Sequence, residues 1–370
     1  MLAELDRHPH ARAVLVPALP PAGIPSHAYL FHGPGGSGKR EVARQVAAAL
    51  LSDGAPDPDG ARARVESGAH PDLTWVAPSG AHEILVSDID KPVIAAASKT
   101  PFESSRRVFV IERVDELGDE AANRMLKTLE EPAAFVHIIL LTDRLVDVLE
   151  TIRSRCQLVR FDPSPPAVIA EDLQRELGLD SAEATSCARL SLGDAEQARE
   201  LAGEDGRQLR AAADGFIRAV LGGTAATDKP WAPLLVAVKA RGEAVRQELE
   251  VRAATELEFY PRKERKRVET EWSDRVRRVR RRVETRTLDL GLGLVTLTLA
   301  DLGYLALGAE DLVRNLDQVE DLRQLQAPEL SSLRDAVDLV EETRRRFVLN
   351  VSEDLACEAL AYRLELTLAA

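Results

Sequence analysis

The sequence predicts an α/β domain with a parallel sheet, followed by a segment that is helical throughout. Between residues 28 and 161, short and almost wholly apolar runs alternate with helical patterns, as expected for strands covered on both faces of a parallel sheet. The proline-rich segment 162–166 indicates a hinge or linker. Beyond it, apolar residues recur at helical spacing. We therefore expect domains at residues 1–165, 166–205 and 206–370.

Five apolar runs are the expected strands, and they cover residues 27–32, 72–76, 107–111, 135–142 and 157–161. The expected helices cover residues 41–51, 87–99 and 119–130. Ser87 is a suitable N-cap for the second helix, and the third must end before Pro132 because a proline disfavours helical angles in the residue before it. The stretch 52–68 is rich in Gly, Pro and Asp and is expected to be a loop.

The overall charge argues against a free-standing DNA-binding protein. The 370 residues include 48 basic and 61 acidic side chains, and the net charge is −13. A protein that binds nucleic acid on its own usually has the opposite balance, because contacts with phosphates need lysine and arginine. Any contact with DNA must therefore come from a local basic patch.

Cysteine spacing and hydropathy indicate a protein of the reducing cytoplasm. Cys156, Cys187 and Cys357 are far apart and form no CxxC pair, so neither a disulfide framework nor a zinc site is indicated. The N-terminus is too polar for a signal peptide. The longest uncharged apolar stretch, residues 290–300, is far shorter than the roughly 20 residues of a membrane span. We expect a buried helix there and no membrane partner.

A glycine-rich segment follows the first expected strand and precedes a helix, and its sequence is Gly33-Pro34-Gly35-Gly36-Ser37-Gly38-Lys39-Arg40. In this context glycines permit tight turns, the N–H groups at the helix start bind anions, and Lys39 reaches the outer phosphates of a nucleotide. The segment therefore predicts a phosphate-binding loop. The alternative is a glycine-rich turn that precedes a lysine by chance.

Two substitutions predict that this site does not hydrolyse a nucleotide. Arg40 replaces the Ser or Thr whose hydroxyl coordinates Mg²⁺ in such loops, and a guanidinium cannot bind a cation. Glu112 and Arg113 directly follow the third strand, where a working ATPase of this type has Asp and Glu. Glu112 is an imperfect metal ligand, and Arg113 cannot act as a base. Asp115 and Glu116 lie beyond the strand and are expected to be solvated or to cap a helix.

Five segments occur in the following order along the chain: HAYLFHGPGGSGK, GAHPDL, AANRMLKTLEEP, IILLTD and TIRSRCQ. Together they closely resemble the delta-prime subunits of the bacterial DNA polymerase III clamp loader. The resemblance covers about residues 1–200 well and is weaker over the helical remainder. It implies a RecA-like AAA+ domain with a parallel sheet, a small helical lid at 166–205 and an all-helical collar domain at 206–370.

The Ser-Arg-Cys triplet of the last segment implies an arginine that acts on a neighbouring subunit. In the family this arginine, Arg155 here, points across the interface at a neighbour's ATP. An arginine supplied in trans neutralises charge on the transferred phosphoryl group. Without the motif, a surface salt bridge is the ordinary role of such a residue. Thr142 matches a polar residue that senses the γ-phosphate, with capping of the strand end as the alternative.

Departures from the family pattern sharpen this assignment. The cysteines that bind zinc in the family are missing from the stretch 56–62, so we expect no zinc. Glu196 takes the place of an arginine that contacts the nucleotide in hydrolysing relatives. Together with Arg40 and Arg113, this favours delta-prime over the gamma/tau motor subunit. The resemblance thus implies weak binding of ATP or ADP and an impaired Mg²⁺ site.

The function implied by the resemblance is that of a stator, a subunit that does not hydrolyse ATP itself. Its partners are the gamma/tau and delta subunits and, through the complex, the sliding clamp and primed DNA. We expect it in the cytoplasm, at the nucleoid, as a component of the DNA-directed DNA polymerase III holoenzyme. The alternatives are an active gamma/tau-like ATPase and a DNA-binding adaptor.

The adaptor alternative depends on a basic segment within residues 255–290. Residues 261–286 contain 12 Lys or Arg and 5 Asp or Glu, a local charge of +7. One narrow apolar stripe runs along this segment at helical spacing and consists of Val268, Trp272, Val276, Val279 and Val283. The stripe favours a solvated helical hairpin. The alternatives are that the basic segment contacts DNA or another protein. Such a basic helix resembles those of actinobacterial delta-prime chains.

Overall fold

The computed structural model describes residues 3–78, 84–258, 260–347 and 351–369, without the side chains of residues 3, 4 and 262. The chain divides into two compact units, Met1–Ser164 and Pro165–Ala370. The boundary falls inside the proline-rich segment 162–166. Each unit is described separately below.

The N-terminal unit is built on a five-stranded sheet, whose strands are β1 (Ala28–His32), β2 (Leu73–Val76), β3 (Arg107–Ile111), β4 (Val136–Thr142) and β5 (Gln157–Arg160). The strand order is β2-β3-β4-β1-β5, and every neighbouring pair is parallel. This confirms the predicted α/β fold with a parallel sheet. The register pairs His32 with Thr142, so β1 and β4 end side by side at the carboxyl edge of the sheet, where open α/β sheets bind their ligands.

Both faces of this sheet are covered, which explains why its strands are apolar almost throughout. Tyr29 and Phe31 of β1 belong to one buried cluster, while Leu30 between them belongs to another on the opposite face. The covering helices are α1 (Pro9–Ala18), α2 (Lys39–Ser52), α3 (Pro58–Glu66), α4 (Val86–Ile89), α5 (Ala95–Ala97), α6 (Asp119–Glu130) and α7 (Glu150–Arg153).

Two local predictions for this unit were wrong. The stretch 52–68 was predicted to be a loop but contains α3, since Asp57 accepts a hydrogen bond from the Gly60 N–H and Pro58 occupies the first turn, both of which favour helix initiation. The helix predicted over 87–99 begins at Val86, one residue before its predicted cap, and contains a π-helical turn, Asp90–Ile94. Pro92 lies inside that turn, where it removes a helical N–H donor.

The C-terminal unit is helical, with no strand among its described residues. Its helices are α8 (Pro166–Leu177), α9 (Ser181–Leu190), α10 (Ala195–Ala202), α11 (Glu204–Leu221), α12 (Ala225–Asp228), α13 (Trp231–Glu258), α14 (Arg262–Ala306), α15 (Val319–Arg323), α16 (Leu330–Arg346) and α17 (Glu353–Leu368). One buried core includes residues from Ile169 to Leu368. A division into lid and collar at residue 205 stays a prediction, because that core draws on both segments.

Helix α14 is long and apolar enough to cross a membrane by composition alone, with a mean hydropathy of 1.4 over its most apolar stretch. Half of that stretch is buried inside the protein. Leu288, Leu292, Val295 and Leu299 are almost completely buried in the core of the C-terminal unit. Packing within the helical core therefore accounts for the apolar character of this segment.

A buried carboxylate ties the sheet to the segment before β3. Asp72, directly before β2, accepts hydrogen bonds from the N–H groups of Phe102, Glu103 and Ser104 at 2.6, 2.9 and 2.9 Å. The Arg107 guanidinium lies 3.3 Å from the same carboxylate. Burial alone raises the pKa of Asp72, but these hydrogen bonds outweigh burial, and the pKa lies below its ordinary value.

We predict that Asp72→Asn lowers the unfolding free energy of the N-terminal unit by about 2–3 kcal/mol, because an amide cannot accept at both oxygen positions. Hydrogen exchange at the amides of β2 and β3 measures this change. Because the pKa of Asp72 is depressed in the folded state, its ionised carboxylate makes its full contribution to the unfolding free energy above the pKa of the unfolded chain. This contribution is lost as the pH falls through the folded-state pKa. The unfolding free energies of wild type and Asp72→Asn therefore converge below about pH 4.

The control for this substitution is Asp59→Asn, since the Asp59 side chain is 94% exposed. It should change the unfolding free energy by less than about 0.5 kcal/mol. Equal protection of β2 and β3 in the Asp72 and Asp59 variants would contradict the proposed role of Asp72.

Candidate functional site

The glycine-rich segment joins the end of β1 to α2 at the carboxyl edge of the sheet. Gly38 has a φ of 79°, a left-handed conformation that side chains disfavour, and it directly precedes the first residue of α2. A Cβ atom at Gly33 would lie 2.3 Å from the carbonyl oxygen of Phe161. Glycine is therefore required at both ends of this turn.

The turn has the donors of an anion-binding loop. Within the described part of the chain, the N–H groups of Gly35, Gly36 and Gly38 have no hydrogen-bond acceptor. The Ser37 hydroxyl is buried and has no partner among the described residues. These donors surround the N-terminus of α2, which carries a partial positive charge. This part of the site fits the phosphates of a nucleotide.

Lys39, in contrast, is turned back into the protein. Its ammonium donates to the carbonyl oxygens of Gly33 and Pro34 at 3.0 and 2.7 Å. It also lies 2.5 Å from the Asp143 carboxylate, and its side chain is only 6% exposed. A phosphate that binds Lys39 must therefore compete with an internal anion.

Arg113 binds the other oxygen of the same carboxylate. Its Nη1 lies 3.2 Å from Asp143 Oδ2, and its Nη2 lies 2.7 Å from Glu116 and 3.5 Å from Asp115. The backbone at Arg113 is left-handed, with φ at 55°, and a 3₁₀ turn over Val114–Glu116 follows. This turn directs the two acids back towards the end of the sheet.

The prediction that Asp115 is solvated or caps a helix was wrong. Its side chain is 2% exposed and accepts a hydrogen bond of 2.8 Å from the Thr142 hydroxyl. Thr142 also accepts a hydrogen bond of 3.0 Å from the Arg144 N–H. The Thr142 hydroxyl therefore joins the end of β4 to the turn that follows β3, and a role in sensing phosphate stays a prediction.

Glu112 and Arg40 neutralise each other. Arg40 Nη2 lies 3.0 Å from Glu112 Oε1, and the Trp75 indole N–H donates to the same oxygen. The Glu112 side chain is therefore already engaged by two donors, and Arg40 offers no oxygen ligand. Arg40 and Glu112 therefore do not fit a site for Mg²⁺, which requires several oxygen ligands in octahedral geometry.

The cysteines lack the properties of metal ligands or nucleophiles. Burial raises the pKa of Cys156 and Cys357 to about 12 and that of Cys187 to about 11, so the thiols stay protonated near neutral pH. In the described ranges, no group of three or more His, Cys, Asp or Glu residues is placed to hold a metal ion. The absence of zinc stays a prediction.

Arg155 lies between α7 and β5, and its side chain is 34% exposed. Its Nε and Nη2 donate to Glu130 Oε1, and its Nη1 donates to Thr151 O at 2.8 Å and to Ser154 Oγ at 3.2 Å. Among the residues that the structure describes, no hydrogen bond or ion pair links Arg155 to the phosphate-binding loop. Arg155 and the phosphate-binding loop are thus held by separate sets of contacts.

Two further predicted features lie in the C-terminal unit. Glu196 is exposed in the first turn of α10, whose N-cap is Asp194, and an acid at this end of a helix is stabilising. In the basic segment, Val268 and Val276 are buried, and the Arg275 guanidinium lies 4.8 Å from the centre of the Trp272 ring. The apolar stripe thus faces inward, and contact with DNA stays a prediction.

Sequence reasoning missed two of the residues that shape these sites, Asp143 and Glu130. A signal was present for each. Asp143 directly follows the apolar strand β4 and is the last residue of the IILLTD segment. Glu130 belongs to the AANRMLKTLEEP segment and ends α6. The sequence pattern did not show which cation each of these carboxylates binds.

Residues 20–165 match the family model described as DNA polymerase III, delta subunit. A Bacillus subtilis protein named DNA polymerase III subunit delta' is 39% identical over 156 residues, which are 40% of this chain and 46% of that protein. The corresponding Pseudomonas aeruginosa protein is 33% identical over 193 residues, 50% of this chain and 58% of that protein. The chain thus spans about half the length of these curated relatives.

A Mycobacterium bovis protein named DNA polymerase III subunit gamma/tau is 31% identical over 47% of this chain and 30% of its own length. A solved structure of a DNA polymerase III gamma subunit-related protein from Thermotoga maritima aligns with 92% of this chain and 95% of its own. Its sequence identity is 16% and its TM-score 0.43, too low to support a conclusion. The family match and the delta' relatives confirm the predicted resemblance to delta-prime clamp-loader subunits.

We predict that Asp143→Asn increases the affinity of the isolated chain for ADP by about tenfold or more, equivalent to about 1.4 kcal/mol. The substitution removes the anion paired with Lys39, so the ammonium becomes available to the phosphates, whereas Arg113 keeps its pair with Glu116. Titration with a fluorescent ADP derivative measures the dissociation constant. The gain should disappear when Lys39→Ala is added.

Asp147→Asn is the matched control, because Asp147 pairs with Arg144 near the surface. It should leave the affinity for ADP unchanged. If the Asp143 variant binds ADP no more tightly than this control, Asp143 does not compete with nucleotide.

Proposed function

We propose that this chain, whose relatives support a delta-prime clamp-loader subunit, is the stator of a DNA polymerase III clamp loader and does not hydrolyse ATP. In this role it assembles with gamma/tau and delta subunits and helps to load the sliding clamp on primed DNA. The names of the relatives support membership of DNA polymerase III, and a replication subunit works in the bacterial cytoplasm. The partners, the clamp and association with the nucleoid belong to the proposal.

The observation that carries this proposal is the pairing of charges around Lys39. Hydrolysis of ATP needs a Mg²⁺ ion and a group that positions or polarises the attacking water. At the two strand-end positions where such groups are expected, Glu112 is paired with Arg40, and Arg113 is itself a cation. The remaining acids nearby, Asp115, Glu116 and Asp143, are engaged by Thr142, Arg113 and Lys39. Among the described residues, each acid of this cluster therefore has a partner.

Arg155 supports the other half of the proposal, an action on a neighbouring subunit. It is exposed, lies in the Ser-Arg-Cys turn and makes no ion pair with the acids around the loop in the described structure. An arginine suits a finger in trans because its guanidinium is planar and always charged. A finger of this kind contributes by stabilising charge that develops in the transition state.

The gamma/tau match favours one competing function, that of an active motor subunit. It is disfavoured here by Arg40 and Arg113. Arg40 occupies the position of a metal ligand and Arg113 that of the acid that polarises water in a motor subunit, and both cations are already paired. ATP turnover by the isolated chain distinguishes the two functions.

We predict that the isolated chain has no measurable ATP turnover, because each acid described at the site is already engaged by another side chain. A coupled assay of phosphate release measures this. Turnover near about 1 s⁻¹, the low end of ordinary enzymes, that is lost in Lys39→Ala would contradict the stator role. Weak binding of nucleotide without turnover agrees with it.

We predict that Arg155→Ala leaves assembly of the loader intact but lowers its ATPase activity, stimulated by clamp and DNA, by about tenfold or more. This corresponds to at least about 1.4 kcal/mol of barrier. Arg155→Lys should restore little activity, since an ammonium lacks the planar fork. The complex is reconstituted with motor subunits, and phosphate release is followed under saturating ATP.

The control for this substitution is Arg160→Ala, which removes an exposed arginine paired with Asp162. Loaders with this variant should hydrolyse ATP at the wild-type rate. A wild-type rate for Arg155→Ala as well would mean that Arg155 is only a surface residue.

A further inference from the structure

The Arg155 guanidinium donates hydrogen bonds to acceptors from two different parts of the fold. Glu130, the last residue of α6, accepts from Arg155 Nε at 2.9 Å and from Nη2 through the same carboxylate oxygen. On the other side, Nη1 donates to Thr151 O at 2.8 Å and to Ser154 Oγ at 3.2 Å. The last two contacts are local, whereas Glu130 comes from 25 residues earlier in the chain.

These contacts fix the plane of the guanidinium. A guanidinium has five N–H donors in one rigid plane. The contacts on Nε and Nη2 lie along one edge of that plane and those on Nη1 along another. In the described structure Nη2 makes one hydrogen bond, so its second N–H is left for another acceptor. An exposed arginine without such contacts would sample many side-chain conformations, and ordering it on binding would cost entropy.

We propose that Glu130 is the positioning residue for Arg155, which it holds in the orientation needed to reach the nucleotide of a neighbouring subunit. This inference rests on the proposed function, since it assumes that Arg155 acts in trans. Holding a charged group in place before the reaction lowers the barrier, because less reorganisation is needed in the transition state. Glu130 itself touches neither nucleotide nor reacting atoms.

A purely stabilising role is the competing explanation, and the structure argues against a large one. The Glu130 and Arg155 side chains are 47% and 34% exposed, and ion pairs at such exposure stabilise a fold little. Removal of Glu130 should therefore change the rate at the neighbouring site without changing the thermal stability of this chain. Glu131 offers a matched control, because it has the same charge and, in the described structure, makes no contact with Arg155.

The test is a double-mutant cycle in the reconstituted loader, with kcat and KM for ATP measured under stimulation by clamp and primed DNA. Glu130→Ala should lower kcat about fivefold with little change in KM, because the finger is present but disordered. Glu130→Gln, which keeps an acceptor oxygen, should fall between Ala and wild type. In the Arg155→Ala background, Glu130→Ala should have no further effect. Glu131→Ala should match wild type throughout.

Three outcomes would overturn the inference while leaving the proposed function intact. They are an unchanged kcat in Glu130→Ala, a raised kcat, which would mean that Glu130 restrains the finger, and an equal loss with or without Arg155. If Arg155→Ala alone has no effect on the loader, the proposed function fails instead. Thermal melting of each variant shows whether any loss of rate comes from unfolding.

Discussion

Asp143 lies between two cations at the end of β4, and its position determines what the neighbouring loop can do. Its two oxygens bind Lys39 and Arg113, so the residue that would hold phosphate and the residue that replaces a catalytic acid share one counterion. The Lys39 side chain is buried, and a buried charge without a partner is costly. The carboxylate therefore stabilises the loop in a state that needs no nucleotide.

The parallel sheet makes this arrangement possible. Because β1 and β4 are neighbours whose ends are in register, the residue after Thr142 lies beside the loop that follows His32. The Thr142 hydroxyl binds Asp115, which brings the turn after β3 to the same edge. Three strand ends are thus joined by polar contacts through their own side chains. In an active site of this type, a nucleotide and its metal ion make some of these connections.

Much of the sheet could be predicted from the sequence, because strands buried on both faces have an unmistakable apolar pattern. The bounds of β3 and α6 match their predictions residue for residue. The errors arose where local composition was ambiguous or where a contact joins distant segments. The helix α3 was not predicted because Asp57 and Pro58 are typical both of loops and of the first residues of helices. The burial of Asp115 depends on Thr142, 27 residues away, and no local pattern predicts that pairing.

In the proposed function, the loop has lost hydrolysis while Arg155 keeps its chemistry, and the separation of the two contact sets is consistent with this. The loop is held by Asp143 and its cations, whereas Arg155 is held by Glu130 and the end of α7. In the described residues, no ion pair joins the two sets, so substitutions such as Arg40 and Arg113 change the local site without disturbing the orientation of Arg155. A subunit that serves a neighbour's reaction needs a rigid sheet and a fixed arginine. In the proposed function, the charge pairs at the loop hold this end of the sheet, and Glu130 fixes Arg155.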